Sequence, residues 1–262
     1  MSEDNNKFGW DSEFSDELIE FTQPDIMVKL VSTIDSRGWP HLTIITSNRA
    51  KNRDQIVWGQ FFAGTSKEYV QKNPKQGIFY MTAEPPFKFI QVKADFTHTK
   101  NEGEDLEYFN QSDFFRYFTY LNVYKVFYNN IVAVTPIRDL PSGSIPRKIV
   151  KAITKEAKTN LEEKRLNIVG YKLFTNKIGV RAIAYIDPSD GYPIIIPHLQ
   201  LNAVDYNRLY FPLTALKEDF LQIPVNVPFT TWLAISKLAP ITATFELTGI
   251  FKKSSFNAVN GK

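Results

Sequence analysis

The sequence predicts a mainly β protein with flanking helices, an α+β chain assembled from two copies of one strand-rich unit. Three observations carry that expectation: a strand-turn-strand unit that recurs about 150 residues later, the same order of segments after each copy, and the lack of any apolar stretch near the roughly 20 residues of a membrane span. In the first copy Lys29–Asp35 reads as a strand, Ser36-Arg37-Gly38-Trp39-Pro40 as a turn and His41–Thr46 as a second strand. In the second, Arg181–Asp187 is followed by Pro188-Ser189-Asp190-Gly191-Tyr192-Pro193 and then Ile194–His198. Both place Asp, Gly, an aromatic and Pro between two strand-like runs, which is how a β-hairpin is punctuated. Such residues mark turns in many chains. Here the correspondence continues downstream, over a period longer than the ~20–50 residues of solenoid repeats, and so points to a duplicated domain.

After the first hairpin come a strand at Gln55–Phe62, a short helix at Gly64–Pro74, a strand at Gly77–Met81 and a closing strand at Phe89–Phe96. The second copy offers Arg208–Phe211, Leu216–Leu221, Phe229–Ile235 and Ile241–Leu247 in the same order. Before the first hairpin, Asp16–Phe21 reads as a covering helix capped by Ser15. Between the copies, Gly103–Tyr120 reads as a helix and Asn122–Val134 as a strand. Pro141-Ser142-Gly143-Ser144-Ile145-Pro146 is the best linker and sets units of 1–140 and 141–262. Arg147–Arg165 then reads as a connector helix with a charged outer face.

Composition narrows the function classes. At 262 residues and 43% hydrophobic content, two units of about 120 residues each fall in the usual domain range. With no basic-then-apolar leader after Met1-Ser2-Glu3-Asp4, neither secretion nor a membrane partner is expected, and a cytoplasmic location is. Zero cysteines exclude disulfides, thiolate metal sites and cysteine nucleophiles. A net charge of +3 gives no reason to expect nucleic acid. His41, His98 and His198 lie on different segments without ligand spacing, so no metal site is expected. No phosphate-binding Gly-rich fingerprint, Gly-x-Ser-x-Gly elbow or HExxH is present, which leaves hydrolase and nucleotide-triphosphatase readings without support.

The segment Gly64-Thr65-Ser66-Lys67 carries the candidate chemistry. A hydroxyl-bearing turn that opens a helix presents unpaired N–H groups and the positive end of the helix dipole, which suit an anion. Lys67 adds a positive charge in the first turn, where it is unfavourable for the helix unless an anion sits there. An ordinary serine N-cap followed by a solvated lysine is the alternative on spacing alone.

The order Asp-x-x-Gly-x-Pro-His, a strand, a Thr-Ser-Lys helix start, Asn-Pro and a further β run resembles the pyridoxamine 5′-phosphate oxidase-like, FMN-binding split-barrel superfamily, well over residues 25–135 and more loosely over 165–252. The resemblance implies tandem six-stranded antiparallel Greek-key barrels arranged as a pseudo-dimer, with FMN at the interface. The copies either face each other within one chain or each face a second subunit, so a homodimer is compatible with the reading. It also implies that the flavin lies along His41, Leu42, Thr43, Ile44, Ile45 and Thr46 and along Gln60, Phe61 and Phe62. Thr65, Ser66 and Lys67 would then take the phosphate, Gln91 would reach the ring and Arg49 would reinforce the phosphate site. The family often carries a basic residue near the position of Thr46, a departure here. Ala215-Leu216-Lys217-Glu218 replaces the hydroxyl turn in the second copy, which is therefore expected to hold no flavin of its own.

The implied function is a flavin-dependent oxidoreductase acting by hydride transfer on a small molecule, with a nicotinamide among the candidate substrates. A deazaflavin- or haem-binding barrel and a non-catalytic flavin-binding module are the alternatives. Tyr108–Tyr128 holds ten aromatics, read first as core and interface packing. The sharper reading has Tyr117 and Tyr124 as a lid over the flavin.

Overall fold

The computed structural model describes residues 9–114, 122–140, 168–175, 180–198, 202–203, 206, 209–210, 216–224, 226–234 and 244–250. Its first sheet is formed by β1 (Met27–Ile34), β2 (Pro40–Ile44), β3 (Arg49–Ala50), β4 (Gln55–Gln60), β5 (Lys75–Thr82), β6 (Lys88–Lys100) and β7 (Lys125–Val134). The strands pair antiparallel in the order β2-β1-β5-β6-β7-β4-β3, with β8 (Arg138–Asp139) added beside β6. The two ends of this order are neighbours in the chain. After pairing with β1 as β2, the chain crosses through residues 45–48 and pairs with β4 as β3. Ser47 pins the crossing: its hydroxyl donates to the Gly59 carbonyl at 2.9 Å and accepts from the Gly59 amide at 3.0 Å. The sheet is thereby rolled into a ring.

Alternation along the strands fills that ring. Val31, Ile78, Tyr80, Ile90, Val92 and Phe127 point inward with Trp58, which stacks on Phe127 at 3.9 Å between ring centroids. Leu18 from α1 (Asp16–Thr22) and Val70 from α2 (Thr65–Lys72) join this cluster. The Ser15 side chain accepts from the Leu18 amide at 3.2 Å, the cap expected from the sequence.

The second half repeats the order. β9 (Val180–Ile186), β10 (Pro193–Pro197), β13 (Pro228–Ala234) and β14 (Thr244–Ile250) run β10-β9-β13-β14, as β2-β1-β5-β6 do in the first sheet. Ile34 pairs with Pro40 and Ile186 with Pro193, so the hairpins superpose in register. Their turns also agree, with Gly38 and Gly191 both at a φ of 78°, a left-handed conformation that glycine adopts without strain. A two-stranded ribbon, β11 (Asn202–Ala203) and β12 (Leu209–Tyr210), and the helices α4 (Ile168–Thr175) and α5 (Lys217–Gln222) complete the described part. The fold class is the expected one: mostly antiparallel β with flanking helices, as two sheets in tandem. The linker at 141–146 and the connector helix at 147–165 lie outside the described residues. Of the expected helix over 103–120, α3 (Glu104–Gln111) is described. No described helix is long and apolar enough to cross a membrane.

The sheets pack through their outer faces. Leu30, Leu42, Phe79, Met81 and Phe89 of the first meet Ala182, Ala184 and Ile195 of the second in one buried cluster. Ile183, Tyr185, Ile194 and Ile196 face the other way, into a separate core with Phe174 and Phe220. All five residues of β10 are therefore buried. The approach is closest where a Cβ on Gly77 would stand 2.1 Å from the Pro193 carbonyl oxygen. Gly77 pairs with Ser32 and Thr230 with Ala184, so Gly77 and Thr230 are equivalent, as are Pro40 and Pro193. Thr230 correspondingly donates its hydroxyl to the Pro40 carbonyl. Such reciprocal contacts are the mark of a two-fold interface, here within one chain.

Each half also buries a cation at the same position of its first strand. Lys29 is 2% exposed and donates to the Thr22 carbonyl at 2.9 Å, at the negative end of α1. Arg181, its counterpart, is 1% exposed. Burial lowers the Lys29 pKa from 10.5 to about 8, with Asp25 acting against the shift and Arg49 adding to it.

Two predictions follow from this packing. Gly77→Ala forces backbone apart at the seam and is expected to lower stability by about 1–3 kcal/mol, measured as the urea midpoint; an unchanged midpoint would mean that the seam spacing is not set there. Lys29 is charged in both states below about pH 8, where its burial penalty is fully present. Between about 8 and 10.5 the folded state loses the proton first, so stability rises with pH. From neutral to about pH 9.5 the native chain is expected to gain roughly 2 kcal/mol that Lys29→Met does not, read from unfolding midpoints of both proteins.

Candidate functional site

The candidate site is built where β2, at one end of the sheet order, meets the start of α2. β4 delivers the chain through Phe61 and Phe62 to Gly64, the N-cap of α2, which makes no side-chain capping bond. Thr65, Ser66 and Lys67 are therefore the first three residues of the helix, and the serine is not the cap. The His41 Nε2 lies 3.2 Å from the Thr65 hydroxyl, and its ring meets the edge of Tyr69 with centroids 5.3 Å apart. The Lys67 side chain folds back over the cap, its ammonium 3.3 Å from where a Cβ on Gly64 would sit. Burial alone lowers its pKa. Among the described residues no carboxylate or carbonyl pairs with that ammonium.

This is an arrangement of donors. The Thr65 and Ser66 N–H groups, the Thr65 hydroxyl with the His41 imidazole against it, and the Lys67 ammonium lie at one helix end, while the Lys67 N–H donates to the Gly64 carbonyl at 3.1 Å. A half-buried cation without a counter-ion at the positive end of a helix is electrostatically incomplete, and an oxyanion such as a phosphate monoester fits it.

The edge of β2 adds a second feature. Asp35 donates its amide to the Trp39 carbonyl and Ile45 to the Lys29 carbonyl, which fixes the alternation of bonded pairs along the hairpin. The backbone groups of Pro40, Leu42 and Ile44 consequently face away from β1. Pro40 uses its carbonyl on Thr230, so the second half lies against this edge.

The remaining expected residues fall as follows. Thr43, Ile44 and Thr46 are half-buried, and Ile45 is buried against the barrel core. The Gln60 amide donates to the Phe62 carbonyl at 3.0 Å. Phe61 packs beside Val57 and Phe109, Phe62 is 61% exposed and Ser66 is buried. Gln91 is not brought to this group. It lies within the seam, donating to the Ile195 carbonyl at 2.6 Å and accepting from Arg138 at 3.3 Å. Arg49 is also elsewhere, its guanidinium 3.7 Å from the centroid of the Tyr108 ring and 3.8 Å from Asp105. Tyr124 is 47% exposed, while Tyr117 lies outside the described residues.

Sequence reasoning missed Tyr69, whose signal was its i, i+4 spacing from Thr65. It also missed Asp105, which gathers Lys51 at 2.5 Å, the Tyr128 hydroxyl at 2.8 Å and Arg49. No spacing rule unites residues so far apart in the chain. The second half lacks the donors: Ile194 stands where His41 does, and α5 opens on Leu216 with no side-chain cap.

No family model matches the chain, and no curated protein matches it. Among solved structures it is similar to an FMN-binding protein from Syntrophomonas wolfei, at 16% identity and a TM-score of 0.38, over 50% of this chain and 89% of that one. HupZ of Group A Streptococcus is similar at 16% identity and a TM-score of 0.37, over 51% and 98% of the two chains. General Stress Protein 26 of Bacillus anthracis is similar at 11% identity and a TM-score of 0.33, over 47% and 94%.

Proposed function

We propose that the chain is a flavoprotein that binds FMN by its phosphate at the start of α2 and acts as a flavin-dependent oxidoreductase on a small redox substrate. The observation that carries this reading is the Lys67 ammonium, half-buried at the start of α2 and, among the described residues, without a counter-ion. The family resemblance of the sequence supports the nature of the anion. When bound, the flavin supplies hydride transfer to or from a substrate stacked on its ring, for which a nicotinamide is one candidate.

The chain's own groups have definable parts. Lys67, Thr65 and the first-turn amides hold the phosphate. Backbone groups on the outward edge of β2 would meet the polar rim of the ring and stabilise charge there. The His41 imidazole donates to the Thr65 hydroxyl from Nε2 or accepts a hydrogen bond from it, according to its tautomer. In this reading units 1–140 and 141–262 divide the work, the first binding and the second covering.

The experiment is direct. Ligand released from natively purified protein is identified by mass spectrometry; FMN is expected, and a deazaflavin or haem in its place would overturn the reading. Lys67→Ala is expected to weaken FMN binding about ten- to a hundredfold, the worth of one charge-assisted hydrogen bond of roughly 1.5–3 kcal/mol. Riboflavin, which lacks the phosphate, should bind both proteins alike. Equal loss for the two ligands would mean that Lys67 serves the ring or the fold, not the phosphate.

A further inference from the structure

The polar contacts that cross the seam are segregated by charge. The first half supplies the cations: Lys93 lies 2.5 Å from Asp190 and 3.7 Å from Asp187, Lys75 donates to the Asp190 carbonyl, and Arg138 forms two 2.7 Å bonds to Asp219. The carboxylates of these pairs all come from the second half. Asp219 and Lys93 are well buried, with side chains 4% and 11% exposed. One further contact, the Tyr192 hydroxyl on Asp95 at 2.9 Å, is likewise made between unlike residues.

The register allows the same seam to be drawn for two identical halves. Gly77 pairs with Lys93 and its equivalent Thr230 with Thr248, so Thr248 stands where Lys93 does, and Ile250 where Asp95 does. If two first halves met, Lys93 would face the Asp35–Trp39 turn in place of Asp187–Tyr192. There Asp35 is already held by Arg37, at 2.8 Å from Nε and 2.6 Å from Nη2, which leaves no unpaired carboxylate for Lys93. A pairing of two first halves thus buries Lys93 without a free carboxylate, while the unlike pairing gives it Asp190 and Asp187.

We propose that the seam is a heterotypic recognition surface: the outer face of the first sheet accepts a second-type half and rejects another first-type half. Each chain thereby pairs its own two halves and does not assemble through this face with a second copy in the manner of a homodimer. This inference does not depend on the flavin reading, and its failure would leave that reading untouched.

The test uses full-length chains with the charges reversed on one side of the seam or on both. One chain carries Lys93→Glu and Arg138→Glu, a second carries Asp190→Lys and Asp219→Lys, and a third carries all four. Each one-sided chain is expected to lose roughly a hundredfold in its folding equilibrium, and the third to recover most of that loss as a monomer. Refolding the two one-sided chains together at equal concentration offers each half a matched partner on the other chain. Light scattering should then find a species of twice the monomer mass, with the unfolding midpoint of the fully reversed chain. If one-sided chains do not fold alone, recovery on co-refolding still supports the proposal and failure to recover overturns it. One-sided chains as stable as the native protein, or a fully reversed chain no more stable than they are, would also overturn it.

Discussion

The close approach of the two sheets is the constraint on which the rest of the molecule depends. The Pro193 carbonyl sits where a side chain at residue 77 would begin, and Thr230 holds the Pro40 carbonyl from the other side. Strands that meet backbone to backbone leave no room for solvent, so both faces of β9 and β10 must be apolar or small. That explains Ala182 and Ala184 toward the seam alternating with Ile183 and Tyr185 toward the second core. The same contact lays the second half against the edge of β2, and so decides what surrounds the candidate site.

Electrostatics divides the molecule into satisfied and unsatisfied regions. Across the seam Lys93 and Arg138 each have a carboxylate, and Asp105, which gathers Lys51 and Arg49, is held ionised by Lys51 and by the Tyr128 hydroxyl against the opposing effect of burial. Tyr128 in turn is pushed well above its usual range, first by burial and then by its bond to Asp105. Among the described residues, no carboxylate pairs with the Lys67 ammonium at the start of α2.

The two halves share a topology and differ in chemistry. Register, turn glycines and the buried cations Lys29 and Arg181 coincide. The donors His41, Thr65 and Lys67 occur in the first half, and the seam carboxylates Asp187, Asp190 and Asp219 in the second. Leu216, which opens α5, has a φ of 52° and offers no acceptor for the helix amides. Divergence of this kind turns a symmetric pairing into a directional one, with one half furnishing the candidate site and the other its cover.

What the sequence determined by itself was local. Hairpins, the turns at Gly38 and Gly191, the covering helix capped by Ser15 and the repetition of the whole order were legible because each rests on spacing, propensity or turn chemistry within a few residues. The start of α2, with Thr65, Ser66 and Lys67 in its first turn, was legible for the same reason. Gln91 shows the limit: its place on a strand was clear, while its bonds to Ile195 and Arg138 depend on how two sheets dock. The meeting of His41 with Thr65, the burial of Lys29 and the charge-segregated seam were decided by tertiary structure. They join residues separated by ring closure or by the seam, distances along the chain over which no local preference acts.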